Sequence, residues 1–269
     1  MVKKLYKHEF LAWLRVMPLI FGILLAVAGV NRVIQFFESD ATYYTIINVS
    51  GIIMYVIALL VCLAAPIVFG VTRYYKNLFT GEGYLTFTLP VSTTQHLWTK
   101  TLTALCFSVA SLLVALLSVV IITAGDMFNE LCLAGSYILR HIPEEISGHF
   151  IGWVAEFIVL LLAAFLYSHL MFSCCVSVGQ LFRKNRVLAS VGAYFAYYII
   201  TQVFGTIFII LMVALENTQL MADISMFIDN HPYATVHIAL CGLTVFYGII
   251  CAAFFLISRY VIRRRLNLE

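Results

Sequence analysis

Glu156 stands about two helical turns inside a stretch that is otherwise apolar or helix-compatible from Phe150 to about Phe182. Lipid solvates a carboxylate poorly, so a group placed there takes a proton, pairs with a cation or holds a ligand. It also lies near one end of its stretch, where lipid headgroups or Arg32 are alternative partners. Farther along, Tyr194, Tyr198 and Gln202 recur every four residues and therefore share a helix face. Two phenols and an amide on one face suit an amphipathic ligand. With Tyr197 and Thr201 they form a polar-aromatic belt that equally suits packing against another helix, and both uses stay open at this point. His169 lies deeper on the same stretch as Glu156 and reads as structural.

Other chemistry-bearing residues point away from catalysis. His141, Glu144, Glu145 and His149 are metal-ligand types close together in sequence, but Pro143 makes the segment irregular and the residues read as a solvated acidic loop. An intramembrane protease would carry such a set within an apolar stretch, and this set lies outside one. No Gly-Lys dipeptide occurs, so the chain has no phosphate-binding loop. Gly81 and Gly83 make no dinucleotide fingerprint, because no strand precedes them and no third glycine follows. The seven cysteines contain no CxxC pair and read as small packing residues. The expectation is a chain with no catalytic residue, no metal and no cofactor of its own.

The elements that carry these residues follow from composition. With 63% hydrophobic and 11% charged residues, the chain cannot hide its apolar surface in a soluble core, so lipid is the solvent for most of it. Six stretches are long enough to span: Leu14–Ile34, Ile46–Val71, Thr101–Ala124, Phe150–Val176, Val187–Leu215 and Ala234–Ile257. The loops are too short for a second domain, so residues 1–269 read as one all-α membrane domain. Of the sixteen Lys and Arg residues, only Arg32 and Arg140 fall on the face opposite the rest, which assigns both termini to the cytoplasm. Basic residues at span ends report topology, and no nucleic-acid patch is expected. Val2, Tyr6, Phe10 and Trp13, beside Lys3, Lys4 and Lys7, predict an amphipathic N-terminal helix that is retained rather than cleaved as a signal. Ala189, Gly192, Ala193, Ala196 and Gly205 read as a packing seam on the fifth span.

Between the second and third spans, residues 74–100 behave differently. Glu82 to Leu89 is too short to span and too apolar to float free, with Tyr84, Leu85, Phe87 and Leu89 as anchors and Glu82 as the only acidic group. Pro90 stops the segment, and Ser92 with Gln95 predicts a capping box that opens the next helix. The sequence Glu82-Gly83-Tyr84-Leu85-Thr86-Phe87-Thr88-Leu89-Pro90-Val91-Ser92, with Lys100 beyond it, resembles the permease subunits of type-2 ATP-binding-cassette (ABC) exporters, of the short kind found in Gram-positive bacteria. The Lys-rich start, Gly179-Gln180-Leu181-Phe182 and the basic tail extend the resemblance over the chain.

The resemblance implies that Glu82, Gly83, Tyr84, Leu85, Phe87, Leu89 and Pro90 form a coupling helix seated on a separate ATPase subunit, which binds ATP and Mg. It implies an N-terminal helix along the inner leaflet and short re-entrant helices in the loop Glu216–Tyr233, although that segment is polar at Asn217, Asp223, Asp229, Asn230 and His231. It further implies a 2:2 complex in the bacterial plasma membrane, with two permeases as a homodimer and two ATPases. Such a complex exports an amphipathic substrate (a peptide antibiotic, a drug or a lipid-like compound) by alternating access. Tyr194, Tyr198, Gln202 and Glu156 are then candidates for the substrate path. Two rival readings are a non-transporting sensor or assembly factor, and an ion-coupled transporter using Glu156.

Overall fold

The computed structural model describes residues 2–37, 42–81, 83, 88, 91–141, 144–182 and 185–264, and among these every regular element is a helix. In chain order they are α1 (Val2–Leu14), α2 (Met17–Phe36), α3 (Thr42–Phe79), α4 (Thr93–Thr123), α5 (Asp126–His141), α6 (Glu144–Gly179), α7 (Arg186–Leu215), α8 (Gln219–Asn230) and α9 (Pro232–Arg264). Six stretches, carried by α2 with α1 before it, α3, α4, α6, α7 and α9, are long and apolar enough to cross a membrane. They match the six expected spans one for one. The chain has the architecture of a multi-pass membrane protein.

Helix ends follow local chemistry. Pro18 sits in the first turn of α2, where its missing N–H removes nothing the helix uses, and so separates α2 from α1. α4 begins at the predicted capping box: Ser92 Oγ accepts from Gln95 N at 3.3 Å, and Gln95 Oε1 accepts from Ser92 N at 3.1 Å. Gly125, at φ +106°, makes the turn from α4 into α5, and a side chain there would also meet the Arg32 guanidinium. α5 and α8 lie where the sequence reading placed outer loops. Both are short and mix polar with apolar residues, so a search for twenty-residue apolar runs passes over them.

Two compact units divide the chain, one of Met1–Tyr74 with Phe87–Ile142, the other of Tyr75–Thr86 with Pro143–Glu269. In the first, α4 carries Ala104, Ser108, Ser111, Ala115 and Ser118 at alternating spacings of four and three, all buried. Such a stripe of small residues lets helix backbones approach closely. Trp13 anchors α1 against this unit, stacked on Phe107 at 5.1 Å and edge-on to Phe69 at 4.9 Å. Leu24 and Ala28 of α2 pack with Tyr55 and Cys62 of α3.

Pro66 interrupts the hydrogen-bond ladder of α3 and leaves the carbonyl of Cys62 without its usual helical donor. The Ser111 hydroxyl supplies one, donating to Cys62 O at 2.9 Å. In lipid no water can do this, so the serine is what makes the proline tolerable. One turn pair farther along, Ser118 donates to Ala115 O at 2.7 Å and pairs with the Tyr55 hydroxyl at 3.0 Å.

The second unit is built on α6, α7 and α9. Leu170, Met171, Ser173, Cys174, Cys175, Val176 and Ser177 of α6 are buried, as are Cys251, Ser258, Val261 and Ile262 of α9. α6 and α7 approach closely at Gly179, where an added Cβ would lie 2.6 Å from the Ser190 backbone. At Gly192 and Gly205 of the expected seam, an added Cβ would meet nothing within 4 Å among the described residues. Over its whole length α7 has no buried residue.

Candidate functional site

Three sets of residues carry the chemistry anticipated from sequence. The first is the segment after α3. Leu78 and Phe79 are buried at the end of that helix, and Gly83 N donates to Thr80 O at 2.7 Å to turn the chain. Glu82, Tyr84, Leu85, Phe87, Leu89 and Pro90 lie outside the described residues.

What flanks this segment was not anticipated. Glu9 of α1 is buried, and its carboxylate lies between Arg73 near the end of α3 and Lys100 near the start of α4. Arg73 Nη2 is 2.8 Å and Nε 3.0 Å from Oε2, while Lys100 Nζ is 2.6 Å from Oε1. One carboxylate thus joins the N-terminal helix to both helices that bracket the segment. The sequence held a signal, since Glu9 is the only acidic residue of an N-terminal helix that carries Lys3, Lys4 and Lys7.

The second set surrounds Glu156. Within the second unit its partner is His237 of α9, whose Nδ1 lies 2.7 Å from Glu156 Oε1. Arg32, in the first unit, donates to Gln35 Oε1 at 3.0 Å and stacks over the Phe36 ring. His237 Nε2 is in turn 3.1 Å from His149 Nδ1. With Glu156 ionised and His237 neutral, His237 holds its proton on Nδ1 and accepts at Nε2 from His149 Nδ1–H. A directed chain then runs from an exposed imidazole to a carboxylate inside the apolar stretch.

Positions 149, 152, 153 and 156 lie on one face of α6. Gly152 leaves room for the His237 ring, whose Cε1 would be 3.1 Å from an added Cβ. Trp153 and Tyr233 pack around the imidazoles, with His149 stacked on Tyr233 at 5.4 Å. Glu156 Oε2 and Trp153 Nε1 are buried with no hydrogen-bond partner among the described residues. The side chains of His141, Glu144 and Glu145 lie outside the described residues, and no three described His, Cys, Asp or Glu groups converge to hold a metal.

The third set is the belt on α7. Tyr194 is half-buried and stacks on Phe172 of α6 at 5.5 Å. Tyr197 pairs with the Tyr167 hydroxyl and meets the Phe254 ring edge-on at 5.5 Å. Tyr198 and Gln202 are exposed. Because four residues advance a helix by more than one turn, the face drifts, and the packed end at Tyr194 gives way to an open end at Gln202. His169, on α6, is buried as expected of a packing residue.

No protein-family model matches the chain, and neither a curated protein nor a solved structure shows a significant match to it.

Proposed function

We propose that this chain is the permease subunit of an ABC exporter of the bacterial plasma membrane. It pairs as a homodimer with two separate ATPase subunits that bind ATP and Mg, with both termini in the cytoplasm. Export of an amphipathic substrate proceeds by alternating access. The coupling segment is 82–90, with Glu82, Gly83, Tyr84, Leu85, Phe87, Leu89 and Pro90 at the ATPase surface.

The observation that carries this reading is the sequence of that segment between two apolar helices, together with the ion cluster at its base. A push from an ATPase has to reach the spans, and a flexible loop would dissipate it. Glu9, Arg73 and Lys100 clamp both flanking helices to α1, so a displacement of the segment moves three helices together. Tyr198 and Gln202, exposed on α7, are polar groups available to a substrate on that helix.

The test is co-purification with an ABC ATPase subunit, followed by transport. Glu82→Lys and Leu85→Asp are expected to reach the membrane at normal levels yet lose ATPase binding and export. Full export by both variants would remove the assignment.

One observation favours a second reading. The Glu156–His237–His149 chain fits proton exchange with the exterior, as in an ion-coupled transporter. Export that persists after ATP depletion and collapses with the proton gradient would select it.

A further inference from the structure

The last turns of α9 have two faces of different character. Cys251, Ser258, Val261 and Ile262 are buried and point into the second unit. On the opposite face, Leu256, Arg259, Tyr260 and Arg263 recur at i, i+3, i+4 and i+7 and so form one stripe. An open groove of about 560 Å³ runs along it, lined by Leu256, Ile257, Arg259, Tyr260 and Arg263. Neither guanidinium has an ion-pair partner among the described residues. The helix C-terminus contributes only about half a negative charge. Two arginines one turn apart outweigh it, so the groove attracts an anion.

The same stripe continues back along α9 through Ile249 and Val245, which are 65% and 61% exposed. From Val245 to Arg259 the helix rises about 20 Å at 1.5 Å per residue, enough to border an acyl chain through the roughly 15 Å hydrocarbon depth of one leaflet. A free inorganic anion would use the arginines and leave this strip bare. An acidic protein segment would gain nothing from it.

We propose that the α9 groove is a binding site for an anionic phospholipid, with the lipid phosphate on Arg259 and Arg263 and an acyl chain along Leu256, Ile249 and Val245. The proposal rests on the membrane residence of the six apolar helices and not on the ATPase. Guanidinium binds phosphate oxygens in a planar, two-pronged fashion that suits the headgroup, and Tyr260 borders it at the interface. Lipid bound there fills the groove in which the helix otherwise leaves two charges unmatched.

The experiment uses the full chain in phosphatidylcholine vesicles that contain a minority of photoactivatable phosphatidylglycerol, with mass-spectrometric mapping of the labelled peptides. Labelling is expected within residues 245–263 and is expected to fall about fivefold for each arginine changed in Arg259→Gln and Arg263→Gln. Unlabelled phosphatidylglycerol should compete for the site, while inorganic phosphate and phosphatidylcholine should not. Equal labelling of the wild-type chain by a phosphatidylcholine probe would overturn the proposal, and so would displacement by inorganic phosphate alone. Both outcomes are read on the wild-type chain and stand even where a variant fails to fold. Neither involves ATP or transport, so the proposal and the exporter reading fail separately.

Discussion

At the scale of single residues, polar groups earn their place by answering a specific electrostatic debt. Cys62 O, stranded by Pro66, is answered by Ser111. Ser111→Ala should therefore lower stability by about 1 kcal/mol in detergent, the usual worth of a hydrogen bond between membrane helices. In a Pro66→Ala background the helix regains its own N–H at that position, and Ser111→Ala should then cost almost nothing. Thermal unfolding of the four proteins of this cycle decides the matter, and equal costs in both backgrounds would refute the pairing. Glu9 answers a larger debt. Glu9→Gln leaves Arg73 and Lys100 facing each other without an anion and should cost about 3 kcal/mol. Lys100→Met leaves a balanced Glu9–Arg73 pair and should cost less. A larger loss for Lys100→Met, read by thermal unfolding, would show that the cluster is not held by charge. Glu156 could be singled out in the sequence because charge inside an apolar run stands out. Its partner could not, since His237 is remote in sequence and ordinary in composition.

Elements were legible to the degree that hydropathy defines them. All six apolar helices follow from length and composition, and the start of α4 follows from a two-residue cap. α5 did not, and for α8 only the resemblance implied short helices in the loop Glu216–Tyr233, because a short mixed helix owes its form to neighbours that a linear reading does not supply. The packing seams show the same division. Glycine and alanine spacing on the fifth span suggested close contact, yet within the chain the close contact falls at Gly179 against Ser190, and the more regular small-residue stripe is on α4. Small residues permit an approach, and the partner decides whether it happens. Gly179→Ala should accordingly destabilise by about 1–3 kcal/mol, since backbone atoms of α7 must move. Gly192→Ala, with open space around it, should be neutral or stabilising by up to about 1 kcal/mol through helix propensity. Thermal stability of the two variants side by side tests this, and a reversed order would contradict the geometry.

For the whole molecule, α7 poses the question of what completes it. No described residue of this helix is buried, and from Thr201 to Ala214 every position is exposed. Lipid suits Phe204, Phe208 and Leu211, but Thr201 and Gln202 are poor lipid neighbours. Gly192 and Ala196 on the same helix are exposed and small, which allows another backbone to come near. A second copy of the chain satisfies both conditions, because a two-fold contact sets small residue against small residue and amide against amide. Cysteine at Gly192 or Ala196, in a chain whose exposed Cys106, Cys132 and Cys241 are replaced by serine, should form a disulfide-linked dimer in membranes under mild oxidation. Cysteine at Val245, on the α9 stripe assigned to lipid, should not. Crosslinking at Val245 equal to that at Gly192 would mean random collision. A fully active complex containing one copy of the chain would refute this pairing.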